Sequence, residues 1–209
     1  MKGLILKDFL LIKGNARTIL IFLLVFGLIA LEGNDFLYFV PAFISMMMFM
    51  TTFSYDEYNK WDAYTISLPV KKKELVLSKY VGSILLLAIA LLGTFLIAFL
   101  VGLVNQDFDI QKTLSLLLGC GASILLLQAF MYPLLIKFGV EKGRIGLFVG
   151  IFLLSFLVGF LMKNISLTIP ENLTHFLHLY LPWILLILVF LVTFISYQIS
   201  KRIYVKKEF

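Results

Sequence analysis

The chain has 209 residues, 61% of them hydrophobic and only 14% charged, with a formal net charge of +6 and a mean hydropathy of +1.02. A soluble domain is about half apolar and a quarter charged, and one soluble core cannot bury this excess, so the composition excludes an ordinary soluble protein and predicts an all-α polytopic membrane protein. A disulfide framework within the chain is excluded too, because Cys120 is the single cysteine.

Residues 1–17 predict an amphipathic helix lying on the inner membrane surface. Ile5, Phe9 and Ile12 share a stripe, with Leu4 and Leu11 beside it and Lys2, Lys13 and Arg17 opposite. Asp8 interrupts the apolar arc. The charge-free run 18–31 is short against the ~20 residues that cross a bilayer. No Ala-x-Ala-like site follows it, so it reads as a retained first span rather than a cleaved signal. An acidic turn from Glu32 to Asp35 leads into a second span, 36–53. A polar segment, 54–80, comes next. Four further spans are expected at 81–104, 113–136, 145–162 and 181–200, followed by a basic tail.

Six spans leave both termini on one side. All 18 Lys and Arg residues except Lys112 and Lys163 then fall on that side. By the positive-inside rule the termini, segment 54–80 and loop 137–144 are cytoplasmic. The net positive charge is accounted for by these loops and does not call for a nucleic acid. The chain is expected to be one membrane domain in a plasma membrane.

The charges of segment 54–80 cannot lie in hydrocarbon, where each costs about 2.5–3.5 kcal/mol at the bilayer centre. Tyr58, Trp61, Tyr64 and Leu68 recur at helical spacing, so a helix of its own is expected over about Asp56–Leu68, stopped by Pro69. Lys71, Lys72 and Lys73 then open a second amphipathic piece into the third span.

Within the spans as drawn there is no Asp, Glu, Lys, Arg or His. Ion-coupled carriers and pumps need such groups, so any energy for transport comes from outside this chain. The internal polar groups are hydroxyls and amides, among them Ser45, Thr52, Thr94, Ser123, Gln128, Ser155 and Ser196, which read mainly as helix-packing hydrogen bonds. His175 and His178 lie outside the spans and lack a third ligand nearby, so they make a poor metal site. No Walker A or His-Glu-x-x-His sequence is present. Gly146 and Gly150 form a GxxxG pair that suits close packing, either within the chain or between copies. The run Met46-Met47-Met48-Phe49-Met50 offers a soft, adaptable surface.

Segment 54–80 also carries a resemblance. Its acidic-aromatic stretch Tyr55-Asp56-Glu57, then Ser67-Leu68-Pro69 and Leu77-Ser78-Lys79-Tyr80, resembles the cytoplasmic segment of small bacterial ABC transporter permeases of the type-2 export class. The opening Met1-Lys2-Gly3-Leu4 with Lys7-Asp8 is similar as well. The resemblance implies a half-transporter that pairs with a second permease subunit, a copy or a paralogue, and binds two separate ATPase subunits. ATP and Mg would then be held by those partners, and this chain would bind no cofactor and be no enzyme. It implies a coupling helix between spans two and three, carrying Asp56, Glu57, Tyr58, Lys60, Trp61, Tyr64 and Leu68. Glu141 and Lys142 of the 137–144 loop would form a second contact. A solute path between subunits would make Ser45, Met48, Thr52 and Ser155 candidate lining residues. Family members export peptides, antimicrobials, lipids or glycans, and the uncharged, Met- and Phe-rich spans here suit an apolar or amphipathic cargo such as a membrane-active peptide. Two other classes stay open: a substrate-capturing membrane subunit of a vitamin importer, against which the long 54–80 segment speaks, and a membrane sensor or immunity protein.

Overall fold

A computed structural model of the chain describes residues 2–14, 17, 21, 39–65, 69–105, 109–164 and 171–207. The described residues form helices and no strand. These are α1 (Lys2–Lys13), α2 (Phe39–Tyr58), α3 (Trp61–Thr65), α4 (Lys72–Asn105), α5 (Ile110–Phe138), α6 (Val140–Asn164) and α7 (Glu171–Lys206). Apart from Ile21, the expected first span lies outside the described residues, as do the acidic turn at 32–35 and Leu68.

Among the described residues, three helical stretches are long and apolar enough to cross a membrane: Lys72–Leu103, Ile110–Phe138 and Ile184–Lys206. At 1.5 Å per residue each exceeds the ~30 Å hydrocarbon core. Their distribution of side chains suits lipid. On α4 the residues facing outward include Ile89, Leu92, Leu96, Leu100 and Leu103. The buried residues include Ser78, Ser83, Thr94 and Ala98. The apolar groups thus stand outside and the small hydroxyls inside, the reverse of a soluble helix.

Those hydroxyls are mostly satisfied within their own helix. Ser45 donates to the Ala42 carbonyl at 2.6 Å, Thr52 to Phe49 at 2.8 Å, Ser83 to Tyr80 at 2.9 Å and Thr94 to Ala90 at 2.8 Å. The expectation that they bond between helices is therefore met chiefly at one place. Pro133 sits inside α5. It has no N–H, so the carbonyl four residues back, that of Ala129, loses its helical donor. Ser196 of α7 donates to this Ala129 carbonyl. Its hydroxyl is also 2.6 Å from that of Tyr80, which lies 2.9 Å from the hydroxyl of Ser200. Non-aqueous surroundings demand such a repair, and it ties α4, α5 and α7 together.

Around this knot lies an aromatic core. The Tyr132 ring stands 5.3 Å from Phe53, 6.3 Å from Phe49 and 5.0 Å from Tyr80, the last edge-on at 90°. Met46, Met50, Ile124 and Met131 fill the space beside it. Much of the methionine run is thus ordinary core, with Met47 facing out. Gly146 and Gly150 face α5: a Cβ on Gly150 would lie 2.9 Å from the Phe130 ring and one on Gly146 3.7 Å from Leu134. The GxxxG pair therefore packs within the chain.

Candidate functional site

Lys and Arg residues crowd one end of this bundle, where α1, the last turn of α2, α3, the start of α4, the α5–α6 junction and the end of α7 converge. The convergence follows from the ends of the apolar runs, but three local features set its geometry.

The first is a break. The expected single helix over Asp56–Leu68 does not form. Helix α2 runs past the second span without interruption to Tyr58. Lys60 then adopts a left-handed backbone with φ 50. The five-residue α3 starts afresh at Trp61. Backbone bonds from Lys60 N to Glu57 O (3.2 Å) and from Ala63 N to Lys60 O (3.1 Å) close the two turns around it. A left-handed non-glycine residue costs about 1–2 kcal/mol, so neighbouring contacts must hold it. The break splits the aromatic stripe. Tyr58 is left 86% exposed on α2. Trp61 and Tyr64 meet on α3 with their rings tilted at 41° and centroids 5.4 Å apart.

The second is a partly buried ion cluster that the sequence marked only by the misfit of Asp8. That carboxylate is 1% exposed and faces inward with Ile12. The face turned outward carries Leu6 and Leu10, not the expected Ile5–Phe9–Ile12 stripe. Lys79 Nζ lies 2.8 Å from Asp8 Oδ1 and 2.7 Å from Asp56 Oδ2. It also donates to Thr52 Oγ1 at 3.2 Å and stands 4.9 Å over the Phe53 ring. Lys7 Nζ completes the cluster, 2.5 Å from Asp56 Oδ1 and 3.4 Å from Asp8. Two ammoniums and two carboxylates balance, which is the condition for burying charge.

The third is a set of tethers on the elbow made by the end of α2, the left-handed turn and α3. Lys7 stands 4.2 Å over the Trp61 ring. Asp62 accepts from the Tyr204 hydroxyl at 2.8 Å and pairs with Lys207 at 3.2 Å. Glu57 Oε2 accepts the Val140 N–H at 2.7 Å. That N–H opens α6, so a carboxylate from α2 caps another helix, where the dipole favours negative charge. Gly139, with φ 82, makes the turn from α5 to α6, and a Cβ there would stand 2.8 Å from Glu57 Oε1. Only glycine suits both the backbone and the space. Arg144 reaches Ser54 Oγ at 3.3 Å.

Between elbow and bundle lies a cavity of about 140 Å³. Asp8, Asp56, Glu57 and Asp62 line it against Lys7, Lys79 and Lys207, with Trp61, Tyr204 and apolar walls such as Val76 and Leu135. Among the described residues no three metal-ligating side chains gather. The arrangement offers mechanical connection: one elbow joined to α1, α6 and α7.

The residues expected from the sequence divide accordingly. Asp56 belongs to the ion cluster, Glu57 is the α6 cap and Trp61 is half-buried under Lys7. Tyr58, Lys60 and Tyr64 are exposed on the elbow, and Glu141 and Lys142 on the first turn of α6. Ser45 and Thr52 are buried inside the bundle and Met48 is half-buried. The side chain of Ser155 lies outside the described residues. Sequence reasoning missed Lys7, Asp8, Lys79, Asp62, Tyr204 and Lys207 as a connected set.

A family model described as ABC-2 family transporter protein matches residues 3–205. No curated protein and no solved structure matches the chain. The match runs from the first turn of α1 to the last turn of α7, taking in the elbow, the ion cluster and the α5–α6 junction, and on it the chain belongs to the ABC-2 family of transporter membrane proteins.

Proposed function

We propose that this permease subunit works in an ABC exporter, with the basic end facing the cytoplasm, six spans and both termini inside. ABC-2 membrane proteins act with separate ATPase subunits and are not themselves catalytic. The elbow and the first turn of α6 form the contact for one ATPase, and two permease subunits with two ATPases make the working transporter. One observation carries this reading: Glu57 Oε2 holds the Val140 N–H at 2.7 Å. The bond keeps the two expected contacts, the elbow with Tyr58, Lys60 and Tyr64 and the turn with Glu141 and Lys142, in one exposed surface. Tyr58 at 86% exposure is a large ring held in water, as befits an anchor that becomes buried in a partner.

The cargo is apolar or amphipathic, of the membrane-active peptide kind. Among the described residues, the deep part of the bundle presents Leu, Ile and Phe outward, a surface that offers a hydrophilic solute little in exchange for lost water. ATP hydrolysis in nanodiscs stimulated solely by hydrophilic solutes would remove this part of the proposal.

Co-purification tests the contact. Membranes expressing the chain with its ATPase should yield both proteins on an affinity column. Tyr58→Ala with Lys60→Glu should lower ATPase recovery by about tenfold or more, as expected for an aromatic anchor worth more than 1.4 kcal/mol. Unchanged recovery in that double variant would take the elbow out of the interface.

A further inference from the structure

A five-residue helix cannot hold itself, since one turn fixes several residues for a single bond. Besides Lys7 over the Trp61 ring, what fixes α3 comes from the end of α7. The last turn of α7 reaches both sides of the segment that joins α2 to α4. On one side Asp62 accepts from the Tyr204 hydroxyl at 2.8 Å and pairs with Lys207. On the other, Lys72 Nζ, in the first turn of α4, donates to the carbonyls of Val205 and Lys207 at 3.3 and 3.1 Å. A cation at those carbonyls also suits the negative end of the helix dipole. The Lys207 N–H closes the turn on the Tyr204 carbonyl at 3.3 Å.

One turn of α7 therefore ties α3 of the elbow to the start of α4. Beneath the elbow lies the cavity of about 140 Å³. An elbow beside such a cavity has room to be pressed inward, but Asp62 cannot move far without Tyr204. Helix α7 holds a stretch able to cross a membrane. Its Ser196 grips the Ala129 carbonyl of α5, so displacement of α7 reaches the centre of the bundle.

We propose that Tyr204 and Lys207 are positioning residues for coupling: the last turn of α7 is a strut that sets the elbow and carries its movement to the membrane part. This rests on the elbow being the ATPase contact. Tyr204 is buried and supplies most of the grip. Lys207 and Asp62 have side chains 40% and 36% exposed, and so contribute less.

The test uses the full permease–ATPase complex in proteoliposomes, with ATP hydrolysis measured against the isolated ATPase. Tyr204→Phe with Lys207→Met should keep ATPase recovery and the thermal unfolding midpoint near wild type, yet lower permease-dependent hydrolysis by about tenfold or more, the scale of one lost hydrogen bond to a charged group. Asp62→Asn, which still accepts from Tyr204, should keep most of the rate, whereas Asp62→Leu should lose it. A double variant hydrolysing ATP like wild type overturns the strut alone. So does a loss of rate that merely follows a fallen unfolding midpoint. A wild-type chain that recovers no ATPase overturns both this inference and the contact on which it rests.

Discussion

Two neighbouring residues of α4 face two different worlds. Tyr80 points into the apolar body, where α2, α4, α5 and α7 meet through rings and hydroxyls. Lys79 points into the basic end, where α1, α2 and α4 meet through ammonium–carboxylate pairs. In the body, lipid is as apolar as the side chains, so the hydrophobic effect does not choose helix partners and shape and a few hydrogen bonds must. At the basic end, each charge depends on particular opposite charges from other helices. Removing one hydroxyl that bonds its own helix, such as Ser45, leaves little behind. Removing one charge leaves another buried without a partner.

The largest effect should therefore come from breaking the ion cluster. Lys79→Met leaves Asp8, 1% exposed, with only Lys7 at 3.4 Å, and should cost about 3–5 kcal/mol of folding free energy. Replacing both members, Lys79→Met with Asp8→Leu, should recover most of that, since an apolar pair of similar volume needs no partner. Unfolding of the purified chain in detergent measures both. A single variant costing under about 1 kcal/mol, the value of an exposed pair, would show that water reaches the cluster and that the contrast between the two regions is false.

Smaller, but specific to the body, is the repair at Pro133. Ser196→Ala strands the Ala129 carbonyl and should cost about 1–3 kcal/mol, the penalty for a buried unsatisfied acceptor. Pro133→Ala restores the helical N–H, so in that background the same Ser196→Ala change should cost much less. A double-mutant cycle in detergent reads the coupling directly. Equal costs in both backgrounds would mean that Ser196 serves Tyr80 rather than the carbonyl.

Among the described residues, α4, α5 and the later part of α7 overlap the apolar runs expected at 81–104, 113–136 and 181–200. The elbow was legible as a place but not as a shape. The spacing of Tyr58, Trp61, Tyr64 and Leu68 is helical throughout, and a lysine carries no sign that it will adopt φ 50. Tertiary contacts impose that turn. The ion cluster showed only its misfit. Asp8 broke an apolar arc, which in a buried face requires a cation, but Lys79 lies 71 positions on. The strut joins residues 145 apart, Asp62 and Lys207, and the proline repair joins residues 67 apart. No local pattern encodes such pairs, because they depend on which helices become neighbours. Pro133 announced an orphan carbonyl, and any of several span hydroxyls would have served it.

The smallest effect should have the opposite sign, and it sharpens the comparison most. Gln128 is 2% exposed on α5, one turn before Tyr132. Its Nε2 is buried without a hydrogen-bond partner among the described residues. At the basic end every buried charge has its counterpart, so deletion there destabilises. Here an amide sits in an apolar body with a donor unmet, and deletion should help. Gln128→Met keeps the length and flexibility of the side chain and removes both polar atoms. It should raise the unfolding free energy in detergent by about 1 kcal/mol, the lower range for relieving a buried unsatisfied group. A loss of stability instead would mean that Gln128 is bonded in the assembled transporter or in another state of the bundle, and the amide would join the polar groups that the body requires.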